Sequence, residues 1–250
     1  MRAAKRAACG TLLAVLALTT ALICTVLNGD ARRSSAAQWD MREPLSRVER
    51  ADGCVALTFD SGWGADYVNE VLADLGRRGM KATFFLTGYW MDENADKAMA
   101  IARAGHELGG HSVTHSRMVG MDEAAADAEI SGVNARISAL TGAPPRCFRP
   151  PYGDWDLTLV RQVREHGQLT VTWSLDLQSR AGGKGLRAAM GDVQAGDIVL
   201  MSLCDASLVD ELGGALDDLA ARGLVPCTVS ELAGRAGERF VSAERVARRA

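Results

Sequence analysis

From residue 54 onward, short apolar runs alternate with amphipathic stretches. Val55–Phe59 reads as a continuous apolar strand that ends on a carboxylate, Asp60. Val68, Val71, Leu72 and Leu75 then recur at helical spacing, with Gly79 as the stop. "KATFFLTG" predicts a second strand, residues 96–104 a helix ended by Gly105, and "HELGGHS" a short third strand. Asp122 opens a helix carrying Ile130, Val133, Ile137 and Leu140, which Gly142 closes. "RCFRPPYG" is extended and stopped by its prolines. Residues 156–165 predict a helix, and "LTVTWSLD" and "GDIVLMS" two further strands. Leu208, Leu212, Leu216 and Leu219 line another helix, "LVPCTV" is a last strand, and Ser230 is placed to cap a short final helix. Near-continuously apolar strands separated by helices predict a parallel sheet covered by helices. About seven such units predict an α/β fold, a small closed barrel forming one domain over residues 51–235. Its active site would sit at the C-terminal strand ends.

The N-terminus follows a different pattern. Arg2, Lys5 and Arg6 form a basic flank over residues 1–6, and an uncharged run follows over residues 7–27. As a helix that run would span about 31 Å, close to a bilayer core of roughly 30 Å. It predicts an uncleaved signal-anchor, or a signal peptide if a cleavage site is used. The basic flank would keep the N-terminus cytoplasmic. The expected localisation is therefore the cell membrane, single-pass with the domain outside the cytoplasm, or secretion after cleavage. Residues 28–50 read as a polar linker, and residues 236–250, with Arg245, Arg248 and Arg249, as a tail.

Composition changes little in this picture. A net charge of −3 and 5% aromatic residues give no footing for nucleic-acid binding. The cysteines show no CxxC spacing. Cys147 and Cys204 read as buried packing, and Cys54 and Cys227 can pair if their strands are neighbours.

The chemistry gathers at the predicted strand ends, with Asp60, His111, His115, Arg149 and Asp176 each at or just past one. Histidines four apart on a helical turn can grip one divalent metal. They can equally be an exposed or capping pair. Asp60 can be a base or a cap. Trp63, Tyr152 and Trp155 can form a platform for a sugar ring or pack at the rim.

Taken in order, "TFDSGWG", "HSVTH", "RPPYG", "WSLDLQ" and "GDIVLM" resemble the five motifs of the polysaccharide deacetylases of the NodB-homology type. The form "FDSGWG" is most similar to a membrane-anchored, sporulation-associated branch. The resemblance implies a distorted (β/α) barrel and metal-dependent de-N-acetylation of a cell-wall glycan such as peptidoglycan or chitin. The expected cofactor is a divalent metal, zinc or a substitute such as cobalt. Asp60 would be the general base, His111 and His115 the metal ligands, and Arg149 the residue holding Asp60. The backbone near Tyr152 would bind the oxyanion, with Trp63 beside the substrate and Asp176 behind the site. Two positions depart from the family pattern. Ser61 stands where a third ligand, an aspartate, is expected, and Ser202 where the histidine general acid is expected. Asp66 is a candidate substitute ligand or a helix cap. Loss of a general acid typically costs about 10²–10⁴-fold in rate. The alternative implied is a degenerate member that binds glycan or a partner without turnover.

Overall fold

A computed structural model describes residues 42–49, 52–62, 64–177 and 185–234, and the backbone of 239–242. In chain order the elements begin with β1 (Leu45–Glu49), β2 (Cys54–Asp60), α1 (Val68–Arg77), β3 (Thr83–Leu86), α2 (Gly88–Glu93) and α3 (Ala95–Arg103). There follow β4 (Glu107–Gly110), α4 (Glu123–Thr141), β5 (Cys147–Phe148), α5 (Leu157–Glu165), β6 (Leu169–Thr170) and β7 (Leu175–Asp176). The last are α6 (Leu186–Met190), β8 (Ile198–Ser202), α7 (Ser207–Ala221), β9 (Val225–Cys227), α8 (Val229–Ala233) and β10 (Arg239–Ser242).

β2 is the spine of the sheet. It is buried as far as Phe59 and pairs in parallel with β3, β8 and, near its start, β9. The strand order is β6-β5-β4-β3-β2-β8-β7. Helices cover it with the apolar rows seen in the sequence. Val68, Val71 and Leu75 of α1, Ile130, Val133 and Ile137 of α4, and Leu208, Leu212, Leu216 and Leu219 of α7 are all buried. Asp122 caps α4 by accepting from the Ala124 and Ala125 amides, and Asp156 caps α5 by accepting from that of Leu159. The cap of α8 is Thr228, in a capping box with Glu231. Ser230, expected to cap it, instead donates its hydroxyl to Glu107.

The sheet does not close into the expected barrel; it is a curled, open half-barrel. "LTVTWSLD" is not one strand but two, β6 and β7, which pair to opposite edges of the sheet. The gap between them is lined by β1. The Thr172 amide donates to Leu45 and the Val48 amide to Gly196, and the Ser46 and Thr172 hydroxyls share a bond of 2.6 Å. Arg47 of β1 pairs with buried Asp197 at 2.9 Å. β1 also pairs antiparallel with β10. Both strands lie in stretches that read as linker and tail, because a five-residue run with two apolar side chains carries little periodic signal.

Cys54 and Cys227 form a disulfide with Cα atoms 6.1 Å apart, as the pairing of β2 with β9 allows. Cys147 is buried, but Cys204 is exposed, contrary to the packing expected of it. The membrane anchor also requires correction. No helix among the described residues is long and apolar enough to cross a membrane. Residues 7–27, which were expected to span one, lie outside the described residues. Membrane attachment through an N-terminal helix, and the single-pass localisation built on it, are therefore withdrawn.

Candidate functional site

The C-terminal strand ends bring Asp60, His111, His115, Arg149 and Tyr152 together. Arg149 follows β5 and is completely buried. Its Nη1 donates to Asp60 Oδ1 at 2.6 Å and to Thr58 Oγ1 at 2.8 Å, and its Nη2 to the Thr172 carbonyl at 3.0 Å. The guanidinium lies 4.1 Å over the Phe85 ring and 5.6 Å from that of Trp173. Gly109 makes this stacking possible, since a Cβ there would meet the Phe85 ring at 2.5 Å. Thr58 Oγ1 in turn donates to the Val199 carbonyl at 2.6 Å. Thr58 and Asp60 are two apart on one strand and so share a face. That signal was present in the sequence and points to Thr58 as part of the Arg149 cradle.

His111 follows β4. Its Nδ1 lies 2.7 Å from the Arg149 carbonyl, which can only accept, so Nδ1 carries the proton and Nε2 the lone pair. Nε2 faces Asp60 Oδ2 at 3.7 Å, too far for a hydrogen bond. Burial holds the His111 imidazole below its ordinary pKa, and the Asp60 charge opposes this. Burial lowers the His115 pKa as well, again against the Asp60 charge. The ring centroids of the two histidines are 4.9 Å apart, edge to face.

These histidines are not on a helical turn. They sit on a loop in which Ser112 (φ 65°) and His115 (φ 59°) adopt left-handed backbone, which L-residues other than glycine visit rarely. The loop is held from behind. Glu129 of α4 accepts from the Val113 and Thr114 amides at 2.8 and 2.9 Å, and Ser112 Oγ accepts from the His115 amide at 2.9 Å. Nothing in the sequence pattern singled out Glu129. Tyr152 is also left-handed (φ 62°) and exposed, and its ring packs 4.7 Å from that of His115. Arg117 lies 4.3 Å over the Tyr152 ring and is paired with Asp154.

The remaining site residues stand apart from this group. Asp176 ends β7, separated from β2 by β8, and is half-buried. Trp63 lies outside the described residues. Asp66 is exposed and does not cap α1, which has no side-chain cap. Ser202 is paired across the sheet with Asp60, and its hydroxyl accepts from the Cys204 amide at 3.3 Å. Ser61 is buried, and its Oγ accepts from the Thr87 amide at 2.9 Å. Beside His115 lies a cavity of about 100 Å³ bordered by Gly62, Tyr89, Trp90, Glu93 and Thr114.

The donor set does not fit a three-ligand zinc site. His111 and His115 converge, but the neighbouring Ser61 oxygen is neutral and already bound to backbone. Among the described residues no group of three or more His, Cys, Asp and Glu side chains is placed to hold a metal ion.

Residues 47–171 match the polysaccharide deacetylase family. The chain is 28% identical over 193 residues to the uncharacterized protein YlxY of Bacillus subtilis, covering 76% of this chain and 60% of that one. It is 33% identical over 126 residues to a peptidoglycan-N-acetylglucosamine deacetylase of Bacillus cereus, covering 49% of this chain and 44% of that one. It thus spans about half the length of these curated relatives. Among solved structures, a CE4 family pseudoenzyme from Bacillus anthracis superposes with a TM-score of 0.72 at 29% identity, over 77% of this chain and 69% of that one. A mutant of a CE4 family pseudoenzyme with restored enzymatic activity gives the same TM-score at 30% identity, over 77% and 72%. These matches establish a family and no narrower branch within it, so the membrane-anchored, sporulation-associated form is not singled out. Together with the strand-end group of Asp60, His111, His115 and Arg149, they show that the chain belongs to the polysaccharide deacetylase family.

Proposed function

We propose that this chain is a degenerate deacetylase-fold protein that binds an amino-sugar glycan of the peptidoglycan or chitin type without turning it over. The observation that carries this reading is Ser61. It occupies the position where the family resemblance calls for a third ligand, and its oxygen is spent on the Thr87 amide. Ser202, opposite Asp60 across the sheet, supports it further, because a hydroxyl cannot protonate a leaving amine at neutral pH as a histidine would. The similarity to pseudoenzymes points the same way.

In this reading Arg149 fixes Asp60, and the His111–His115–Tyr152 wall shapes a polar notch for a sugar. The Cys54–Cys227 disulfide fits folding in an oxidising compartment. The intact Asp60–Arg149 pair favours a second reading, a slow metal-dependent deacetylase that uses Asp60 as base.

Calorimetric titration of the full chain with chitotetraose and with soluble peptidoglycan fragments, in EDTA and in zinc, tests the proposal. Binding within about twofold in the two conditions, with the ligand recovered intact, is expected. Absence of binding to both ligands, or consumption of the ligand when zinc is present, would contradict it.

A further inference from the structure

We infer that the cavity beside His115 is a subsite for an amino sugar with a free ammonium group, so that the protein reads glycan already de-N-acetylated. This rests on the glycan-binding function proposed above and adds the acetylation state that the site selects.

The inference comes from what the cavity offers a ligand. Most of its polar lining is spent internally. Thr87 Oγ1 accepts from the Trp90 amide at 3.2 Å, and Trp90 Nε1 donates to the Gly64 carbonyl at 2.7 Å. Thr114 Oγ1 is bonded to Ser116 and to Glu129 at 2.7 and 2.9 Å. What is left among the described lining residues is the Tyr89 ring, 57% exposed, the Trp90 wall, the His115 ring and the carboxylate of Glu93.

Glu93 is the one carboxylate among the described residues lining the cavity. It is exposed and makes no hydrogen bond or ion pair among the described residues. Its neighbour Asp92, by contrast, is engaged by Arg136 at 2.8 Å.

An unpaired carboxylate in a cavity that aromatic side chains also line discriminates by charge. It attracts an ammonium group through a charge-assisted hydrogen bond, and the aromatic faces add cation–π attraction. For a neutral acetamido group the same carboxylate supplies only an ordinary acceptor. A sugar carrying a carboxylate would be repelled. The volume of about 100 Å³ holds several waters, which suits one sugar ring or its substituent and not a longer segment. Amide hydrolysis of an N-acetylated glycan, which releases acetate and leaves the amine, is the class of reaction that must supply this ligand. The cavity shares His115 with the strand-end group, so a chain lying across that group would present an amino substituent to Glu93.

The test compares chitotetraose with the fully de-N-acetylated tetramer by titration into the full chain, at low salt and at about 0.5 M salt, in wild type and Glu93→Gln. The amine tetramer should bind roughly three- to tenfold more tightly at low salt, as expected of exposed ionic and cation–π contacts. High salt should compress the preference. Glu93→Gln should abolish it by weakening the amine tetramer to about the affinity of chitotetraose. Equal affinities in wild type, or a preference that survives Glu93→Gln, would overturn the subsite and leave glycan binding standing. Failure of both tetramers to bind would overturn the glycan-binding function and the subsite with it.

Discussion

The two halves of the strand-end group differ in how they are built. One half is anchored on Arg149. Its Nη1 and Nη2 reach Asp60, Thr58 and Thr172, and the Phe85 and Trp173 rings lie 4.1 and 5.6 Å from its guanidinium. The other half, at Ser61 and Ser202, consists of neutral hydroxyls that accept from the backbone amides of Thr87 and Cys204. The first half requires a charge pair to be satisfied inside the protein, while the second would be satisfied in any small polar protein. The difference teaches that structural and chemical requirements of one fold can separate. A buried ion pair cannot lose one partner cheaply, whereas an acid at a ligand position can be replaced once no metal has to be held.

The largest expected effect follows from breaking the anchored half. Arg149→Ala strands Asp60 beside an empty slot and should cost about 3–5 kcal/mol in unfolding free energy. Urea denaturation measures it, and a loss below 1 kcal/mol would show that the pair is not structural. The next effect sharpens the contrast. Ser61→Asp places a charge at a buried position and should lower apo stability by about 1–3 kcal/mol. Added zinc should raise the melting temperature of that variant and leave wild type unmoved. An equal zinc shift in both would mean that Ser61 does not set metal affinity.

A third prediction concerns the opposite end of the sheet. His106 precedes β4, is buried against Phe84, and accepts the Ala82 amide on Nδ1 at 3.3 Å. Burial, with Lys81 nearby, lowers its pKa to about 4. The folded state therefore resists a proton that the unfolded chain takes up near pH 6.5. The stabilisation is complete above that value and is lost progressively as pH falls from about 6.5 toward 4. His106→Asn should flatten stability against pH in this window; an unchanged slope would exclude His106 as its source. The smallest effect is expected at Ser202→Ala. That hydroxyl makes one long bond to the Cys204 amide and is half-buried, so stability should change by less than about 0.5 kcal/mol. A large loss would show that Ser202 is part of the scaffold after all.

Much of the anchored half was legible in the sequence. Asp60 and Arg149 terminate apolar runs, and an ionisable group at a strand end projects onto one rim whatever the sheet's curvature. The geometry of the histidine loop was not legible. His111 and His115 at a separation of four suggest a helical turn, whereas left-handed backbone at two non-glycine residues, in a loop held by Glu129 of the helix that follows, brings the rings together. The opening of the sheet was equally hidden. "LTVTWSLD" has the apolar alternation of one strand, and only the insertion of β1 at Val171 and Thr172 divides it. Tertiary pairing, which a single segment cannot report, decided both. The cavity at Glu93 was missed for a related reason, since it joins Gly62 and His115, from two different motifs, to Tyr89 and Glu93 of α2, which belong to none.

The central claim is that this chain lacks turnover because Ser61 and Ser202 replace the groups that deacetylation needs. The most direct test is acetate release from N-acetylated peptidoglycan fragments and chitooligosaccharides. It compares the full chain, stripped of metal and resupplied with zinc or cobalt, with the Ser61→Asp/Ser202→His double variant and an Asp60→Asn control. We predict no release by wild type above the Asp60→Asn background, and metal-dependent release by the double variant. Metal-restored release by wild type that Asp60→Asn abolishes would contradict the account and establish a deacetylase working from two histidines.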